Sequence, residues 1–125
     1  MPTPAGAAWC ALYPTSRDVA DLAEPFRAHV VSFLADLDAR GCSVQIRATL
    51  RPPERAWLMH WAWRIVEGEA PESVPPHDPP IPIVWSVAGA REMVSAYQLA
   101  YKPSLISRHI QGRAIDMTIK GWSGE

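Results

Sequence analysis

The sequence predicts a mixed domain of helices and strands, and three observations carry that reading. Apolar residues recur at steps of three and four over three separate stretches, another stretch alternates in period two, and proline clusters punctuate the chain between them. At 125 residues the chain is one domain's length, enough for a modest core and not for two independent ones.

Residues 1 to 17 carry Pro2, Pro4 and Pro14 and read as an irregular amino-terminal arm. Val19, Leu22, Phe26, Val30, Phe33, Leu34 and Leu37 then share one face of a helix from about Asp18 to Arg40. Asp18 and Asp21 suit its positive amino end, and Arg40 before Gly41 is a stop signal. Pro25 either kinks this helix or opens a restarted one, with Glu24 outside it. His29 falls about one residue off the apolar stripe and reads as a solvated or partly packed helix residue.

Ser43 to Leu50 alternates, with Val44, Ile46 and Ala48 on one face, and predicts a strand. It runs into Arg51-Pro52-Pro53-Glu54-Arg55, where Pro52 keeps Arg51 extended while Pro53 and Glu54 suit the first turn of a new helix. Arg51 therefore stands at the mouth of a strand-to-helix turn, placed either to project a cation into a pocket or to pair with a surface carboxylate. The next helix, about Pro53 to Gly68, carries Trp57, His60, Trp61, Trp63 and Arg64 and is apolar around more than half its circumference. Its aromatics read as core rather than as a cage for a sugar or peptide, and His60 as a hydrogen-bonded core histidine, with a metal ligand as the sharper alternative.

From Glu69 to Pro82 six of fourteen residues are proline, which excludes helix interior and central strand and leaves a stiff loop of polyproline character. His77, beside Asp78, reads as part of a solvated surface pair, the alternative being a loop-borne ligand or lid. Ile83 to Val87 is a short strand or a buried turn. Gly89 to Lys102 is helical, with Ala90, Met93, Val94, Tyr97 and Tyr101 on its inner face and Pro103 ending it.

The formal charge of -1 gives neither a polybasic footprint for nucleic acid nor an acidic tail. Cys10 and Cys42 lack CxxC spacing and read as small buried apolar residues. No basic segment followed by an apolar run opens the chain, and no stretch approaches the roughly 20 apolar residues of a membrane span. The expectation is a soluble protein without a signal peptide, cytoplasmic as synthesised.

Chemistry concentrates in Ser107-Arg108-His109-Ile110-Gln111-Gly112-Arg113-Ala114-Ile115-Asp116-Met117-Thr118-Ile119, a loop feeding a half-buried strand. His109 offers an imidazole nitrogen and Asp116 an anionic oxygen, a pairing that suits zinc in an open, catalytic site. Ser107-x-His109-x-x-Gly112-x-Ala114-x-Asp116 resembles, position for position, the SxHxxGxAxD motif of the zinc D-alanyl-D-alanine carboxypeptidases and dipeptidases and of related phage peptidoglycan endopeptidases. Arg51 with Pro52-Pro53-Glu54-Arg55 looks like the family's arginine segment and the helix after it. The likeness covers roughly residues 43 to 67 and 104 to 120, while the Trp-rich helix and Pro-rich loop look like a distinct branch.

This resemblance implies a single small α+β domain of the hedgehog/DD-peptidase type, helices packed on a small antiparallel sheet. It implies zinc held by His109 and Asp116, Arg51 stabilising the oxyanion of the tetrahedral intermediate, and Ser107 hydrogen-bonding substrate. It implies a peptidoglycan peptide as partner, no nucleic acid, and delivery to the cell wall or periplasm by another system. The family completes its site with a later Glu-x-x-Trp-His segment that supplies the general base and third ligand. Here only Lys120-Gly121-Trp122-Ser123-Gly124-Glu125 follows the strand, and Glu125 stands off the family's spacing. Three readings stay open: a truncated form of a longer hydrolase, an inactive relative that binds peptidoglycan or a protein partner, or a shell completed by His60, His77 or a second chain.

Overall fold

The computed structural model describes residues 2–121. In chain order its elements are β1 (Thr3–Pro4), α1 (Phe26–Ala39), β2 (Ser43–Ala48), α2 (Pro53–Val66), β3 (Ile83–Val84), α3 (Val87–Tyr97) and β4 (Asp116–Lys120), joined by short 3-10 turns. The class is α+β. Contacts gather in two compact units, one made of Met1–Pro14 and Pro52–Leu105, the other of Thr15–Arg51 and Ile106–Glu125.

The first unit is built on α2. Pro52 and Pro53 open the helix where no intrahelical N–H is needed, Glu54 sits in the positive first turn and Arg64 in the last. Seven of its residues are buried, Leu58 and Ala62 completely, so the tryptophan helix is a core element. Ser86 caps α3 by accepting the Gly89 N–H at 3.0 Å. A Cβ on Gly89 would stand 2.3 Å from the Ala5 carbonyl oxygen, so glycine is what admits this backbone approach.

The arm before Pro14 takes part in this core. Trp9 is buried, its indole N–H donates to the Pro4 carbonyl at 3.0 Å, and β1 pairs in parallel with β3, Thr3 opposite Ile83. In the Pro-rich loop Val74 and Ile81 pack on the core, and the His77 ring meets Trp57 edge-on at 5.4 Å. The end of α3 comes five residues before the predicted Lys102. Gln98 adopts φ 60°, Gln98 N–H bonds Ser95 and Leu99 N–H bonds Val94, a reversal that closes the helix and leaves Tyr101 82% exposed.

The second unit holds α1 against the β2–β4 pair. The single helix predicted from Asp18 to Arg40 divides: Asp18 caps a 3-10 turn at Val19–Asp21, and α1 starts only at Phe26. Pro25 is the cause, since it has no N–H and restricts the residue before it. Antiparallel register sets Val44 opposite Ile119 and Ile46 opposite Met117. The alternating residues of both strands therefore share one apolar face, as the pattern in β2 implies. Among the described residues no helix is long and apolar enough to cross a membrane.

Candidate functional site

Arg51, Ser107, His109 and Asp116 all belong to the second unit. Residues 107 to 113 form a compact turn in which Ser107 Oγ accepts the Ile110 N–H at 3.3 Å and the Ser107 carbonyl accepts the Gln111 N–H at 3.2 Å. The serine thus shapes the turn and keeps its own hydroxyl hydrogen to donate. Gly112 adopts φ +71°, and a Cβ there would stand 3.0 Å from the Ala23 nitrogen, whose N–H donates to the Gly112 carbonyl at 2.9 Å. Both the backbone reversal and the close strand of chain at Ala23 require glycine.

The turn delivers His109 to the end of the sheet where Asp116 begins β4. Its Nε2 lies 3.4 Å from Asp116 Oδ2, and its Nδ1 faces the Thr49 carbonyl oxygen at 3.4 Å. Thr49 is fully buried, its hydroxyl donating to the Asp18 carbonyl at 2.9 Å, so the acceptor beside His109 stands on a fixed backbone. A bulge between Ile46 and Ala48 sets Ala48 opposite Asp116. Such an extra residue re-aims side chains at a strand end. The His109 side chain is 22% exposed and that of Asp116 64%, so the pair opens to solvent on the carboxylate side.

The donor set can be tested against zinc. Two donors about 2.0–2.1 Å from one tetrahedral ion lie roughly 3.3 Å apart, close to the separation of His109 Nε2 and Asp116 Oδ2. Nδ1 against a backbone carbonyl is the arrangement that leaves Nε2 to a metal. The pair therefore fits two positions of a shell. Among the described residues no group of three or more His, Cys, Asp or Glu side chains converges, so none of these types supplies a third donor there, and Glu125 lies outside the described residues.

Arg51 is joined to this site through its backbone, its N–H donating to the His109 carbonyl at 2.9 Å. The other two candidate histidines have structural partners in the first unit. His60 is 8% exposed, with Nδ1 2.8 Å from the Pro103 carbonyl and its ring edge-on to Trp61 at 5.0 Å. His77 Nδ1 lies 2.9 Å from the Pro79 carbonyl. Cys10 and Cys42 are free thiols.

Sequence reasoning passes over the surroundings of His29. With Arg108, Arg113 and the start of α1, this residue lines a hollow of about 370 Å³. The two arginines five residues apart in the motif turn are the only signal the sequence offers for it. No family model, curated protein or solved structure matches the chain.

Proposed function

We propose that the chain is a zinc-dependent peptidase-like domain acting on the stem peptides or cross-links of peptidoglycan. The observation that supports this most is the 3.4 Å approach of His109 Nε2 to Asp116 Oδ2 at the open end of the sheet. When bound, zinc would lower the pKa of a bound water to about 7 and polarise the scissile carbonyl. His109 and Asp116 hold the ion, with the Thr49 carbonyl fixing the imidazole by its far nitrogen. Arg51 places positive charge where the oxyanion develops, a role worth on the order of 3 kcal/mol, and Ser107 donates its hydroxyl hydrogen to substrate. The third ligand and general base come from outside the described residues or from a second chain.

A second reading is an inactive domain that binds peptidoglycan or a protein partner. It is favoured by the one fact the enzyme reading must accommodate, the lack of a converging third donor among the described residues. Zinc content after exhaustive dialysis separates the two. The enzyme reading expects about one zinc per chain, lost in His109→Ala and in Asp116→Ala. A folded wild-type chain that retains no zinc overturns it, and saturable binding of muropeptides by that metal-free chain then selects the second.

A further inference from the structure

The turn that carries His109 also carries a two-guanidinium cluster that the peptidase reading does not use. Arg113 N–H donates to the Arg108 carbonyl at 2.7 Å, and both residues line one hollow. With His29 they line the 370 Å³ hollow at the start of α1. Its only carboxylate, Glu24, is engaged: Oε1 accepts the Ala28 N–H at 2.8 Å and Oε2 meets Arg27 at 3.4 Å. Arg113 reaches only the neutral Gln111 amide oxygen, at 3.4 Å, and among the described residues the Arg108 guanidinium has no partner. The lining thus sets two guanidinium groups against one carboxylate that is itself paired with Arg27, a net positive charge.

Phe26 and His29 also line a second hollow of about 270 Å³, whose remaining walls are Val30, Phe33, Ile115 and Met117. Apart from His29 those walls are apolar. Phe33 belongs to the helix face that periodicity assigns to the core, yet it is 47% exposed, because two strands are too narrow to cover both flanks of α1. The two hollows share Phe26 and His29, so a cationic end adjoins a short apolar trough. The complementary ligand is an anion attached to one or two apolar groups. The trough is open, whereas a free small molecule is held by burying most of its surface, so the end of a longer chain is the better match.

We propose that this groove captures the free carboxyl terminus of a peptide whose last residues are apolar. The carboxylate is held between Arg108 and Arg113, and the apolar side chains lie on Phe26, Val30, Phe33 and Met117. None of Arg51, His109 and Asp116 lines the groove, so the proposal goes beyond the metal pair and does not depend on it.

The test is fluorescence polarisation of an amino-terminally labelled Gly-Gly-Leu-Phe peptide titrated with the full chain in EDTA. Saturable binding is expected. The same peptide as its carboxamide binds about tenfold more weakly, and Arg108→Gln and Arg113→Gln each weaken the acid form by about tenfold. Phe33→Ser weakens it several-fold, and octanoate at the concentration of the peptide does not displace it. Both arginines are exposed, so their variants fold and report binding alone. Equal binding of acid and amide, displacement by octanoate as effective as by unlabelled peptide, or no saturation at millimolar chain overturns the proposal.

Discussion

His60 and His109 show what separates the two units. Each turns Nδ1 to a backbone carbonyl, Pro103 for one and Thr49 for the other. Beyond that bond His60 meets an aromatic ring and is buried, whereas the free nitrogen of His109 meets a carboxylate that is 64% exposed. The same side chain with the same first partner is a packing element in one unit and half of an open donor pair in the other. The second nitrogen decides the role. The material of the cores differs likewise: the first unit buries Trp9, Trp57, Leu58, Ile65 and Met93, while the second buries the aliphatic Leu22, Val30 and Leu37 and leaves Phe33 about half exposed.

The largest test of this contrast compares one apolar residue from each unit. Leu58 is completely buried in α2, and Leu58→Ala should cost about 3 kcal/mol through lost transfer energy and the cavity left behind. Phe33→Ala removes a larger side chain that is 47% exposed and should cost under about 1 kcal/mol. Denaturant midpoints give both values. Equal losses would mean that Phe33 is covered in solution, and the apolar trough would no longer be available to a ligand.

Next in size is Gly112→Ala. Placing a side chain at φ +71° costs about 1–2 kcal/mol, and the Cβ at 3.0 Å from the Ala23 nitrogen adds crowding that the backbone must relieve. The expected result is a loss of about 2 kcal/mol, accompanied by faster amide exchange at Ala23, whose N–H donates to the Gly112 carbonyl. A neutral Gly112→Ala with Ala23 still protected would remove the turn as the device that positions His109.

These residues also mark how far the sequence is legible. Strand β2 and the start of α2 follow from local signals, alternation and then two prolines, and they fall where the pattern puts them. Val19 and Leu22 keep the phase of Phe26 and Val30, so the pattern places one helix from Asp18 and leaves open whether Pro25 kinks it or restarts it; the structure shows the restart. Periodicity records which side is apolar, not whether the hydrogen-bond ladder is unbroken, and Pro25 breaks it. The pairing of Thr3 with Ile83 joins residues 80 apart, and the units interleave segments that change over at Pro14, Arg51 and Leu105. No local signal encodes either. At the candidate site the spacing of His109 and Asp116 was readable. The Arg51 N–H bond to His109 and the bulge opposite Asp116 were not, since both depend on how separate stretches meet.

The smallest expected effect concerns Tyr97, where the first unit holds an ionisable group in a structural role. Burial pushes its phenol above the usual range, the Cys10 thiol acts in the same direction, and the Arg55 guanidinium 4.9 Å over the ring opposes them. In the unfolded chain the phenol titrates near about pH 10, while the folded chain keeps its proton to higher pH. Above that point the unfolded state binds fewer protons than the native state, so stability is full below about pH 10 and falls as pH rises beyond it. Because part of the side chain is solvated, the shift, and with it the pH window over which stability falls, is narrower than full burial would give. Urea midpoints of wild type and Tyr97→Phe, compared between about pH 9 and 11, should diverge with the variant less sensitive, because every other titrating group is common to both. Parallel curves would show that the phenol ionises as easily folded as unfolded. The aromatic unit would then be more open than the packing of Tyr97 against its core implies.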